Sequence, residues 1–233
     1  MNKIEKQMCD ILKDSIDNYG VIGTKAEFEA EGTRLDELLR LFDISNKAGC
    51  KMALKIGGCE AITDLNMAKQ FGVDYVIAPM VETSYSLKKF IGAIKTVYKN
   101  KDLLDTEFLF NCETITTYKN IDEMINVCNK NKDIIHGITF GRVDFVNSQG
   151  ISREKIEIDE ISESVIEVSK KCKKNNLDFV VGGAIYLNAI ENLKKFHSIY
   201  LTRFETRKIV FSGEAALADS LHEGIKNAHL FEL

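Results

Sequence analysis

Short runs rich in β-branched and aromatic residues alternate along this chain with longer stretches whose apolar residues fall three and four apart. The short runs are VIGTKAEF (21–28), MALKI (52–56), DYVIAP (74–79), EFLFNC (107–112), IIHGITF (134–140), DFVVGGA (178–184) and SIYLTRF (198–204). Between them lie LDELLRLFDISNKA (35–48), EAITDLNMAKQF (60–71), SLKKFIGAIKTVYK (86–99), YKNIDEMINVCNK (118–130), EISESVIEVSKKCKK (160–174) and NAIENLKKF (188–196). The longer spacing gives a helix one buried stripe, whereas a strand apolar on both faces must be covered on both. Strands of that kind, separated by helices, build a parallel sheet wrapped in helices.

Seven such runs in 233 residues fit one (β/α)8 TIM barrel of class α/β, a single domain 1–233 with an N-terminal helix. KIVF (208–211) is the candidate eighth strand. Its link from Phe204 is too short for the crossover helix that a parallel neighbour requires. Either the closing strand is irregular or the seventh run is misplaced. An open doubly wound sheet is the alternative, but it would carry a Gly-rich turn after its first strand, and GTKAEF is not one.

Composition removes several classes of function. With 31 basic and 35 acidic side chains the net charge is −4, which argues against a broad nucleic-acid surface. No apolar run approaches the roughly 18–20 residues that cross a bilayer, so no membrane partner is expected. MNKIEKQMCDILKDSIDNYG mixes charge with apolar residues at helical spacing, unlike a secretion signal. The six cysteines form no CxxC or Cys/His cluster, so neither a zinc site nor a redox pair is signalled. Free thiols in a reducing cytoplasm are expected.

In such a barrel the reactive groups gather where strands end, because those ends share one face. The first junction offers Glu27, Glu29, Glu31 and Arg34; the second Lys55, Gly57 and Gly58; the third Glu82. The fourth adds Asn111, Cys112 and Glu113, the fifth Arg142, Asp144, Asn147 and Ser148. Later ones add Gly182, Gly183, Arg203, Glu205 and Arg207. Carboxylates converging from different strands, with cations beside them, suit Mg²⁺ or Mn²⁺ and a small anionic substrate. The ion polarises a carbonyl, a cation balances developing charge, and small residues such as Gly57 and Gly58 let backbone N–H groups approach substrate oxygens. Each position also has a plain structural reading: Lys55 as a rim charge, Gly57–Gly58 as a turn, Cys112 as a buried thiol. His136, His197, His222 and His229 do not follow strands, so a Ser-His-Asp or Cys-His mechanism lacks its base.

VIAPMVET, NCET with the following YKNIDEMI, and GRVDFVNSQG resemble, in the same order, motifs of the HpcH/HpaI aldolase and citrate lyase β-subunit family, within the phosphoenolpyruvate/pyruvate-binding barrels. The likeness spans roughly residues 50–150. It implies a barrel that binds Mg²⁺ or a similar ion and makes or breaks a C–C bond beside a pyruvate-, oxaloacetate- or acyl-derived enolate. It also implies that Glu113 and Asp144 are the metal ligands, that the backbone from Gly141 to Asp144 holds a substrate carboxylate, and that the chain forms a homo-oligomer. Two departures stand out. Lys55 replaces the family's arginine and lacks its bidentate fork. No histidine occurs in residues 21–34 to act as base, which leaves Glu27, Glu29 or Glu31 for that role.

The reading that follows is a cytoplasmic, metal-dependent carbon–carbon lyase for a small 2-oxo acid or related carboxylate. Glu113 and Asp144 hold the metal, Lys55 and Glu29 are the candidate catalytic residues, and Lys55, Gly57, Gly58, Gly141 and Arg142 meet the substrate. The alternative is a catalytically silent barrel that binds a ligand or serves as a complex subunit. A hydrolase using Cys112 is a third reading.

Overall fold

The computed structural model describes residues 1–233, the side chain of residue 100 excepted. Strands β1 (Val21–Glu27), β2 (Lys51–Lys55), β3 (Tyr75–Ala78), β4 (Glu107–Cys112), β5 (Ile135–Gly141), β6 (Asp178–Gly182), β7 (Arg203–Glu205) and β8 (Ile209–Ser212) close into a barrel in chain order. Helices α1 (Lys3–Tyr19), α2 (Leu35–Ala48), α3 (Ile62–Phe71), α4 (Ser84–Val97), α5 (Ile115–Asn129), α6 (Arg142–Asn147), α7 (Asp159–Asn175), α8 (Ile190–Ile199) and α9 (Leu221–Glu232) complete the chain. The TIM-barrel expectation holds. None of these helices is long and apolar enough to cross a membrane.

The irregular closure has a definite form. Neighbours from β1 to β7 pair in parallel, whereas β8 runs antiparallel to both β7 and β1. A three-residue turn, 206–208, joins β7 to β8 as a hairpin, so no crossover helix is needed. The seventh strand is also shorter than its apolar run. Ser198 and Ile199 belong to α8, and only Arg203–Glu205 pair. Gly213, just after β8, passes so close to Leu201 that a Cβ there would sit 2.0 Å from its carbonyl oxygen.

Reversal of one strand redirects the helix behind it. β8 descends, so α9 begins at the lower end, where Ser220 Oγ donates to the Asn18 carbonyl at the end of α1. It then climbs to the upper rim. There the Glu232 carboxylate accepts from Thr206 Oγ1 at 2.7 Å and from the Lys208 N–H at 2.9 Å, pinning the helix over the hairpin turn.

Two apolar layers hold the assembly. The outer one, between sheet and helices, contains Phe90, Phe108, Phe110, Phe140, Phe179, Phe196, Phe204 and Phe211, each less than 2% exposed. The inner one, inside the barrel, is Ala53, Tyr75, Ile77, Leu109, Val180 and Val210. Below it the Arg203 guanidinium lies 4.2 Å from the Tyr75 ring centre and pairs with Glu107 at 3.1 Å and Asp178 at 2.9 Å. That plug closes the end where the strands begin, leaving the other end for chemistry.

Phe204 and Phe211 stack at 4.8 Å with rings 2° apart, tying the two strands of the closing hairpin. Phe211→Ala is expected to cost roughly 3–5 kcal/mol in urea unfolding. Leu104→Ala, at a position 85% exposed, should change stability by no more than about 0.5 kcal/mol.

Candidate active site

A cavity of about 350 Å³ opens at the mouth formed by the strand ends, and both Glu113 and Asp144 line it. Glu113 follows β4 directly and is 1% exposed. Its Oε1 accepts the Met80 N–H at 2.7 Å; its Oε2 accepts Asn111 Nδ2 at 2.7 Å and faces Lys55 Nζ at 3.4 Å. Met80 presents that N–H from a left-handed backbone, φ 49°, an unusual conformation for a non-glycine residue. Burial pushes Glu113 above the usual carboxylate range, against the pull of Lys55 and these hydrogen bonds. Gly141 packs on its flank, where a Cβ would stand 2.7 Å from the Glu113 Cβ.

Asp144 sits in the first turn of α6, a short helix where the sequence suggested only a loop. Burial raises its pKa too, opposed by Lys55 and reinforced by the Glu29 and Glu27 charges. The motif residues around it are stitched to one another. Ser148 Oγ accepts the Ile115 N–H at 2.9 Å, and Thr114 Oγ1 donates to Glu82 at 2.7 Å. Glu82 therefore braces the start of α5 and is not part of the cavity lining.

Lys55 ends β2 and bridges two carboxylates, Glu29 at 2.9 Å and Glu113 at 3.4 Å. Burial works against its charge, but Glu113, Glu27 and Glu29 more than offset this and hold the ammonium above the ordinary lysine value. A second buried cation, Lys25, lies 2.8 Å from Glu205 and 3.0 Å from Glu27. Burial disfavours its charge as well, and Glu205 and Glu27 reverse the balance, raising its pKa. For Glu27, burial raises the carboxyl, but Lys25 and Lys55 outweigh it and hold it below 4.5.

Several expected roles change on inspection. Glu29 does not line the cavity; its carboxylate is engaged with Lys55, which it positions. Glu31 is likewise committed, to Arg207 and Lys208. Arg142 is 1% exposed and points away from the cavity. Its Nη1 pairs with Glu157 at 3.0 Å, while Nε and Nη2 donate to the Gly183 and Ala184 carbonyls. It is a brace, so contact with substrate is withdrawn. Gly57 and Gly58 also lie outside the lining, and the Gly57 N–H is taken by Asp64 at 2.7 Å, which makes this a turn. Cys112 is fully buried and burial pushes its thiol up, so a hydrolase built on it has no nucleophile.

Lys25, Thr139, Arg153 and Tyr186 line the cavity without having been singled out, and so does His229, which the sequence set aside because it follows no strand. For Lys25 and Thr139 the signal was present: both fall at strand positions whose side chains face the barrel interior, in the alternation that β-strands impose. His229 arrives through the reversed β8, which no local pattern announces.

The family model of the HpcH/HpaI aldolase/citrate lyases matches residues 31–194. No curated protein matches the chain. Among solved structures, an HpcH/HpaI aldolase from Desulfitobacterium hafniense DCB-2 superposes with TM-score 0.66 at 15% identity, covering 97% of this chain and 89% of that one. An HpcH/HpaI aldolase/citrate lyase family protein from Burkholderia cenocepacia gives TM-score 0.67 at 9% identity, covering 98% and 100%. A variant of the citrate synthase SbnG gives 0.62 at 14% identity, covering 85% and 81%. At these identities the structural likeness speaks for the fold.

The Lys25 cluster generates a stability prediction. Glu27, held below its ordinary value, contributes stability above 4.5 that is lost as pH falls through its lowered pKa. Lys25, held above its ordinary value, contributes below 10.5 and loses that contribution at more alkaline pH. Lys25→Met should therefore cost roughly 3–5 kcal/mol near neutrality, because two buried carboxylates lose their cation. The deficit relative to the parent should shrink towards about pH 4, where Glu27, no longer held down by the ammonium, takes up a proton; urea unfolding at the two pH values checks this.

Proposed function

This chain belongs to the HpcH/HpaI aldolase/citrate lyase family, and from that premise we propose that it is a carbon–carbon lyase acting on a small 2-oxo acid or related carboxylate with the help of Mg²⁺ or Mn²⁺. The observation that carries the proposal is the meeting of Glu113 and Asp144, from successive strand ends, in one polar cavity beside Lys55. Family members generally depend on a divalent metal.

The donor set fits such an ion. Glu113 and Asp144 offer hard carboxylate oxygens, and the buried Asn111 Oδ1 and Thr139 Oγ1, both in the cavity lining, have no partner within the protein. Mg²⁺ and Mn²⁺ accept one or two carboxylates and complete their shell with water and substrate oxygens. When bound, the ion supplies Lewis-acid polarisation of a substrate carbonyl.

The protein's own groups do the rest. Lys55 is kept protonated by its carboxylates, so it serves as a fixed positive charge: it attracts the substrate anion and balances negative charge that builds in the transition state. Glu29 keeps that ammonium in place. Asn111 and the Met80 N–H orient Glu113. Gly141, Val143 and Asp144 line the cavity, so their backbone would meet the substrate carboxylate, while the missing side chain at Gly141 makes room for Glu113.

A direct assay is hydrogen–deuterium exchange at C3 of a panel of 2-oxo acids, followed by proton NMR, with cleavage of 4-hydroxy-2-oxo acids in parallel. Exchange should require Mg²⁺ or Mn²⁺ and stop on chelation. Glu113→Gln should lower kcat by about 10²–10³-fold, and Lys55→Met should raise KM for the acid. Metal binding by calorimetry with no turnover of any acid would instead favour the silent ligand-binding barrel. Undiminished turnover in Glu113→Gln would overturn the metal assignment.

A further inference from the structure

Carbon–carbon cleavage needs a group that takes a proton and gives it back, and the lysines and carboxylates at the strand ends, the proposed metal ligands Glu113 and Asp144 apart, are already committed. Glu27 and Glu205 hold Lys25, Glu29 holds Lys55, and Glu31 holds Arg207 and Lys208. Lys25 and Lys55, each held by two carboxylates, stay as cations.

The histidines are distributed unequally. His136 Nδ1 accepts the Phe108 N–H at 3.1 Å, His197 pairs with Glu214 and His222 with Glu223, and none of the three lines the cavity. His229 does line it, and among the described residues its ring nitrogens have no hydrogen-bond partner. It packs against Tyr186 with ring centres 4.9 Å apart, tilted by 46°. Of the charged groups that line the same cavity, Arg153 comes from the segment after α6, Arg207 and Glu205 from the closing hairpin and Glu232 from α9 itself, with Lys25, Glu27, Lys55, Glu113 and Asp144 from the strand ends.

Both walls are held in place. On α9 the residues Leu221, Gly224, Ile225, Ala228 and Phe231 are buried against the rest of the molecule, and Glu232 is tied to the hairpin turn. That leaves His229 on the flank of the helix that borders the mouth. Tyr186 follows a loop in which Gly183 (φ 87°) and Ala184 (φ 50°) are both left-handed, and a Cβ on Gly183 would lie 2.8 Å from the Val143 nitrogen. Arg142 holds this loop by the carbonyls of those same two residues. Unusual backbone of this kind persists only where its surroundings dictate it.

We propose that His229 is the acid–base residue of this site, with Tyr186 and the Arg142-braced loop fixing its ring. The proposal rests on the lyase reading above. In the cleavage direction an imidazole nitrogen takes the proton of the substrate's 4-hydroxyl. The C3–C4 bond breaks, C4 becomes an aldehyde or ketone carbonyl, and the bonding pair passes to the 2-oxo fragment as its enolate. The imidazolium then returns the proton to C3, leaving a 2-oxo acid and a carbonyl product, with no redox change. Imidazole suits the task because one ring nitrogen can accept a proton and give it back without other change to the ring.

The test compares parent protein with His229→Gln and His229→Ala on a 4-hydroxy-2-oxo acid, folding being verified by circular dichroism. Loss of about 10²–10⁴-fold in kcat is expected, with KM within a few-fold, loss of one limb of the pH–kcat profile, and partial rescue of His229→Ala by free imidazole. Histidine-ring NMR gives a readout independent of turnover: oxalate with Mg²⁺ should move the His229 resonance and leave those of His136, His197 and His222 in place. Unchanged kcat and pH profile in His229→Gln, or a stationary His229 resonance while calorimetry shows oxalate binding, would overturn the role of His229 and spare the lyase reading. A parent protein that neither binds oxalate nor turns over any acid overturns both.

Discussion

Two lysine ammonium groups inside the barrel, each held by a pair of carboxylates of which at least one comes from another strand, set the form of the mouth. Desolvating an ion costs several kcal/mol, and the offset comes only from partners whose geometry is already fixed. Lys25 on β1 finds Glu205 on β7, so the pair reaches across β8 and braces the irregular seam. Lys55 on β2 joins Glu29, beyond β1, to Glu113, beyond β4. The mouth is thus cross-tied along two lines, and the side chains that would perform chemistry also keep the strand ends in register. Such a site is expensive to rearrange, which favours a preorganised arrangement over one assembled on binding.

The closing hairpin is the second determinant. Seven parallel strands could have been followed by an eighth in the same sense, which would have sent the last helix away from the mouth. A three-residue turn forbids that, and the reversal carries α9 upward to its contact with Thr206 and Lys208. The family model ends at residue 194, before β7, so it covers the parallel part and stops short of the reversal.

Much of the parallel part is legible from local pattern, because each βα unit buries its own stripe. The periodicity of residues 35–48 coincides with α2, and the apolar runs before residue 184 all contain a strand. The clash between KIVF and its short link also announced that closure would be irregular. Orientation was not legible, since an antiparallel strand buried on both faces has the same composition as a parallel one. Side-chain commitment was equally hidden. Arg142 and Glu29 have the right chemistry at the right junctions, yet each is consumed by a partner distant in sequence, Glu157 and Lys55 respectively. A linear pattern reports which groups reach the rim, and only the fold reports which of them are left free.

Charge balance bears on the choice between an active and a silent barrel. The cavity lining carries five carboxylates, Glu27, Glu113, Asp144, Glu205 and Glu232, against four cations, Lys25, Lys55, Arg153 and Arg207. One excess negative charge in a half-enclosed, weakly screened space repels an anionic acid. A lysine at position 55 carries the same charge as an arginine but lacks the bidentate grip that would offset the repulsion. A divalent cation held by Glu113 and Asp144, as proposed, would turn the excess to a single positive charge and relieve the repulsion by Asp144 that helps raise the Glu113 carboxyl. Occupancy by cation and by acid would therefore reinforce each other: the carboxylate pair that would make a metal-free cavity repellent to anions is the same pair that would make a loaded one attract them.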